Sequence, residues 1–150
     1  MTDRRYLTFY IDVMSRTTDI AGQFNESFER CVNDPLFLDR FYEIFLASSD
    51  EVNLMFRNTD METQKVMLLS SMAYMTNAYN NESNFLLKVA DRHNKKNLNI
   101  KPYLYPLWLD SLLAAAKSID PLFEKNTEKL WRKILQPGID QMISRYSEVL

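Results

Sequence analysis

The chain has 150 residues, a formal net charge of −2, one cysteine (Cys31) and one histidine (His93). That length suits one domain with a sizeable core. The slightly acidic balance argues against nucleic acid or an anionic membrane surface as the main partner. One cysteine and one histidine exclude an internal disulfide and a conventional structural zinc site.

Apolar residues make up 46% of the sequence, with two glycines and five prolines. So few turn-formers suit long helices better than a sandwich or barrel. No stretch of about 18 apolar residues offers a membrane span. The opening run MTDRRYLTFYIDVM is too short and too broken by charge for a signal peptide, so a cytoplasmic location is the default expectation. No repeat, low-complexity tract or linker divides the chain, and residues 1–150 are expected to form one domain.

In chain order, a first helix is expected over about 6–31, with Gly22 as a candidate break. Asp34-Pro35 reads as an N-cap and a first-turn proline for a second helix over about 35–47. Ser48-Ser49-Asp50-Glu51 and Thr59-Asp60-Met61-Glu62 fit S/T-x-x-E capping boxes, opening a short helix over about 49–56 and a longer one over about 60–79. A fifth follows over about 83–94. Lys101-Pro102 opens a sixth over about 102–118, where Leu104, Leu107, Trp108 and Leu112 keep helical spacing. Asp120-Pro121 starts the last, over about 121–147, which Gln136-Pro137-Gly138 should kink or divide. No segment alternates like a strand. The expected fold is all-α.

Two helix faces carry polar groups among apolar ones. Met61, Gln64, Leu68, Met72 and Met75 form one stripe with Gln64 its only polar member. A buried amide without a partner costs about 1–3 kcal/mol, so the simplest reading is that Gln64 reaches solvent. Leu86, Val89, Ala90 and His93 form the complementary stripe, and taken alone such a histidine reads as core packing. Tyr42 and Phe56 read as aromatic core. Asp60 and Glu62 read as caps, Cys31 as a buried thiol and Lys95-Lys96 as a solvated helix end.

Taken jointly, these residues resemble a known family. Phe41-Tyr42, Phe56, Thr59-Asp60-Met61, Gln64, His93 and the run Ile100 to Tyr105 ahead of Trp108 are similar in order and spacing to bacterial single-domain globins. The segment FYEIFLASSDEVNLMFRNTDMETQKVML resembles the second through fourth helices of such a globin. RHNKKNLNIKPYLYPLWLDSLL resembles the proximal histidine and the helix after it. The likeness spans about residues 34–147, with 1–33 as an extended first-helix region.

The resemblance implies a globin fold of about six to eight helices holding haem b between the fourth and fifth. It implies His93 as the proximal iron ligand, its other ring nitrogen donating to a carbonyl about one turn earlier. It implies Phe56 against the porphyrin, Tyr42 and Gln64 as the distal polar pair, and Leu68 as the apolar wall beside the gas. Val89, Ile100 and Leu104 would line the proximal side. Tyr105 matches the tyrosine that flavohaemoglobins pair with the proximal histidine and a glutamate. That glutamate has no evident counterpart: the count lands near Tyr146, with Glu148 two residues on.

The implied function is reversible binding of O2, with NO and CO as further ligands. Tyr42 and Gln64 can each donate a charge-assisted hydrogen bond to bound O2, worth about 1.5–3 kcal/mol, which favours O2 over CO. Two other functions fit the same likeness. One is an NO dioxygenase or peroxidase-like enzyme served by a separate reductase, since no phosphate-cradling loop for flavin or nicotinamide is present. The other is a globin-fold sensor. A monomer or homodimer is expected. With no second histidine, the sixth iron position is open, water-filled or held by another group such as Tyr42.

Overall fold

The computed structural model describes residues 20–80 and 84–147. The 6–19 part of the first expected helix, residue 83, the side chain of Leu86 and Glu148 lie outside the described residues. Helix α1 covers 20–32, passing through Gly22 without a break. It is followed by α2 (Phe37–Ala47), α3 (Asp50–Met55), α4 (Met61–Asn80), α5 (Asn84–Arg92), α6 (Leu104–Ile119) and α7 (Lys125–Ser144). Among the described residues there is no strand, and the all-α expectation holds.

Each helix buries one stripe. On α1 it is Phe24, Ser27 and Cys31; on α2 it is Phe37, Phe41, Tyr42 and Phe45; on α7 it is Trp131, Ile134, Leu135, Ile139 and Met142. Helix α2 packs on α6, and both α4 and α5 pack on α7. The α4–α7 crossing needs a glycine. A Cβ at Gly138 would lie 2.9 Å from Met75 Cγ, closer than side chains tolerate.

The helix starts differ from the expected ones for local reasons. Asp34 accepts the N–H of Leu36 at 2.9 Å and so caps a turn, leaving Pro35 ahead of α2 rather than in its first turn. Ser49, not Ser48, caps α3 by accepting from Val52 N at 3.2 Å; the Ser48 hydroxyl turns back to the Phe45 carbonyl. Asp60 rather than Thr59 caps α4, taking the N–H of Glu62 at 3.1 Å. Asp120 holds the turn before α7, which itself begins with a reciprocal capping box between Glu124 and Thr127. Pro137 does not divide α7, which runs on to Ser144. Buried side chains on both sides of it, Ile134 and Leu135 before and Ile139 and Met142 after, hold the helix together against a proline penalty of about 3 kcal/mol.

Candidate functional site

A cavity with about 900 Å³ of atom-free space, part of it open to solvent, lies among α2, α4, α6 and the corner after α5. Phe41, Tyr42 and Phe45 of α2 wall one side, with Phe56 at the end of α3. Gln64, Leu68 and Met75 face in from α4, and Leu104, Tyr105 and Trp108 from α6. His93 and Ile100 enter from the corner between α5 and α6. Tyr42, Phe56, Gln64, Leu68, His93, Ile100, Leu104 and Tyr105 therefore meet at one cavity. Val89 does not line it, and meets the site through its carbonyl.

His93 is the first residue past α5. Its N–H donates to the Val89 and Ala90 carbonyls at 3.2 and 3.1 Å, and its own carbonyl accepts from Ile100 N at 3.0 Å. Its Nδ1 lies 2.7 Å from the Val89 carbonyl oxygen. A carbonyl can only accept, so Nδ1 carries the hydrogen and Nε2 keeps a lone pair. Burial lowers the ring's pKa and the nearby Arg92 charge adds to this, against the opposing pull of the Val89 bond. The ring is thus held neutral, with one nitrogen committed and the other available.

Of the other polar groups in the cavity, Ser71 donates to the Met67 carbonyl at 2.9 Å, while Tyr42 and Tyr105 are less firmly held. Tyr42 is only 4% exposed, and its hydroxyl donates to the backbone carbonyl of Gln64 at 3.4 Å, near the limit of a hydrogen bond. Burial pushes its pKa up to about 12, outweighing the Gln64 bond and the Lys65 charge. Gln64 is half-buried and lies beside the Tyr42 hydroxyl. Tyr105 is 6% exposed, and its buried hydroxyl has no hydrogen-bond partner. Burial alone pushes its pKa up. Aromatic edges fix the rings around Tyr42, with centroids 4.8 Å to Phe41 and 6.0 Å to Phe56.

Tyr146, where the glutamate count landed, lies elsewhere. Its exposed hydroxyl donates to Asn99 Oδ1 at 2.6 Å. Among the described residues, no carboxylate lines the cavity. Sequence reasoning missed Ser71, Met67 and Met55 as lining residues, along with Trp108 and Met142. The signal was partly there. Gln64, Met67, Leu68, Ser71 and Met75 share one face of α4, a wider strip than the stripe read from apolar residues alone.

No family model and no curated protein matches the chain. Among solved structures, it is similar to the crystal structure of a Pseudomonas aeruginosa protein described as structurally highly homologous to a human hemoglobin. The TM-score is 0.82 at 34% identity, covering 85% of this chain and 98% of the other. The chain belongs to the globin family. Its likeness to a bacterial member extends over almost all of that relative. The helical architecture above is a globin fold, and the cavity lies among α2, α4, α6 and the corner after α5.

Proposed function

We propose that this globin holds haem b in the cavity, with His93 as axial ligand, and binds a diatomic gas there reversibly. The observation that carries the reading is the 2.7 Å bond from His93 Nδ1 to the Val89 carbonyl, which leaves Nε2 free in a cavity shared with Tyr42 and Gln64. The fit is good on two counts. The walls are largely apolar, from Phe41, Phe56, Leu68, Ile100 and Leu104. The donor set contains one neutral imidazole, as haem iron favours. Covalent attachment would need a thiol at the cavity, and Cys31 is buried against the Ala116 carbonyl instead.

When bound, haem would supply an iron at which O2, NO or CO could coordinate, and hydrogen-bond donors beside it would favour O2. Tyr42 and Gln64 supply the hydrogens. The Tyr42 hydroxyl gives up only a long bond to turn towards the ligand, and Gln64 lines the cavity beside it. The high Tyr42 pKa keeps it a protonated donor at neutral pH.

One feature favours binding over turnover. A carboxylate partner would make the proximal imidazole more basic, as peroxidase-type chemistry exploits, whereas a backbone carbonyl is a weaker acceptor. His93 has the carbonyl. Absorption spectra of the haem-loaded ferric, ferrous and CO forms test the reading. A Soret band should form with wild type and be lost with His93→Ala. A band that is absent, or unchanged in the variant, overturns it.

A further inference from the structure

The two helices that carry Tyr42 and Gln64 take their main packing elsewhere, α2 from α6 and α4 from α7. The spacing of Tyr42 and Gln64 therefore depends on contacts that cross directly between α2 and α4. One is the long bond from the Tyr42 hydroxyl to the Gln64 carbonyl, at 3.4 Å. A second is much shorter. Lys65 Nζ lies 2.5 Å from Asp39 Oδ1.

That ion pair sits beside both cavity residues. Asp39 is about one turn before Tyr42 on α2, and Lys65 is next to Gln64 on α4. The Lys65 side chain is only 20% exposed, although the carboxylates it meets are both exposed. Its aliphatic stem is thus covered, and the ammonium reaches out to them. A surface ion pair usually loses its gain to the entropy of fixing two long side chains; here packing already restricts one of them. The second carboxylate, Glu62, accepts from Lys65 Nζ at 2.9 Å but belongs to α4 itself. It orders the same ammonium without joining the helices. The Lys65 charge also reaches the Tyr42 hydroxyl, where it works against burial.

We infer that Lys65 and Asp39 are positioning residues, a strut between α2 and α4 that sets the reach of Tyr42 and Gln64 towards a gas bound in the cavity. The inference rests on the proposed role of Tyr42 and Gln64 as donors to bound O2. Releasing the strut lets the two helices part and withdraws the donors. The hold on O2 then weakens more than that on CO, which gains less from a donor.

The test compares Asp39→Asn with Glu62→Gln in the full chain. Each removes one negative charge from beside Lys65, but only the first cuts a link between helices. Two readouts apply: O2 and CO release from the haem-loaded protein by stopped flow, and amide hydrogen exchange over residues 61–68 of the haem-free protein. Asp39→Asn should speed O2 release by about two- to fivefold, the span open to an ion pair of this kind. It should leave CO release nearly unchanged and speed exchange at the start of α4. Glu62→Gln should release both gases as wild type does. Adding Lys65→Met to Asp39→Asn should bring no further increase, since the link is already cut. Unchanged gas release and exchange in Asp39→Asn, or an equal effect of Glu62→Gln on O2 release, would overturn the inference. If Tyr42→Phe leaves O2 release unchanged, or if wild type forms no Soret band, the reading beneath it falls instead.

Discussion

The two halves of this globin treat polar groups in opposite ways. Around Trp131, between α1, α2 and α7, each named polar group has a partner. Trp131 Nε1 donates to the Ser27 hydroxyl at 2.9 Å, Ser27 donates to Asp120 at 2.7 Å, and Arg30 donates to Asp120 at 2.6 and 3.1 Å. Phe24, Phe28, Phe37 and Phe123 close on the indole with centroids 5.1 to 6.3 Å away. Around the cavity, the Tyr105 hydroxyl is unpaired and Tyr42 makes one long bond to the Gln64 carbonyl. A buried donor left unpaired costs about 1–3 kcal/mol, so a fold retains it only where something else offsets the loss. The Trp131 half is built to be stable. The cavity half keeps bonding capacity in reserve.

That contrast can be broken by substitutions that act on one half at a time. The largest effect should come from His93→Ala, which abolishes the Soret band of the reconstituted protein while leaving the denaturant midpoint of the haem-free protein within about 1 kcal/mol of wild type. Asp120→Ala should do the reverse. It strands Arg30 and Ser27 and costs about 3 kcal/mol in urea unfolding, with the haem spectrum unchanged in the folded fraction.

Asp120 also predicts a pH dependence. Burial works to raise its pKa, but hydrogen bonds from Arg30, Ser27 and the Leu122 N–H outweigh it and lower the value. Its stabilisation is therefore full above the ordinary carboxylate range, about 4, and drains away as pH falls through the lowered folded value. Asp120→Asn should lack that part of the acid-side loss in a series of thermal melts.

Smaller effects sharpen the boundary between the halves. Tyr42→Phe should speed O2 release about tenfold or more in stopped flow, with CO release much less affected. An equal change for both gases would mean that Tyr42 acts by shape and not by its hydroxyl. Gly138→Ala should cost about 1–3 kcal/mol, because the new methyl presses on Met75 Cγ and Cβ, which lie too near the backbone to swing away. Since Met75 lines the cavity, this single change should also shift the Soret maximum, joining the two halves.

Much of this layout was legible before any coordinates. Six of the helices fall where apolar spacing and Pro, Ser and Asp punctuation put them, because those signals report local backbone chemistry. The errors cluster where neighbouring residues compete for one role. Ser48 against Ser49, and Thr59 against Asp60, offer equivalent oxygens one residue apart, and only the chain's path decides between them. Pro137 misled because the loss of a hydrogen bond is local, whereas the packing of Ile134 and Ile139 that outweighs it is not. The cavity-lining Gln64 and His93 stood out as polar groups on apolar faces, whereas Tyr42 read as aromatic core until the family resemblance marked it. Ser71 and Trp108 did not, since nothing in spacing separates a wall of the cavity from ordinary core. Val89 was placed on that wall by the family resemblance; in the structure its backbone carbonyl meets His93 Nδ1, which sequence patterns do not reveal.

Cys31 gives the sealed half a reporter of its own. It is the only thiol in the chain, fully buried, and burial pushes its pKa up to about 12. At neutral pH it is therefore both shielded and protonated, and an alkylating reagent can reach it only when α1 parts from α6. Labelling kinetics at this one sulfur would clock the opening of the helical scaffold in real time, without any engineered dye and without interference from the cavity side of the molecule.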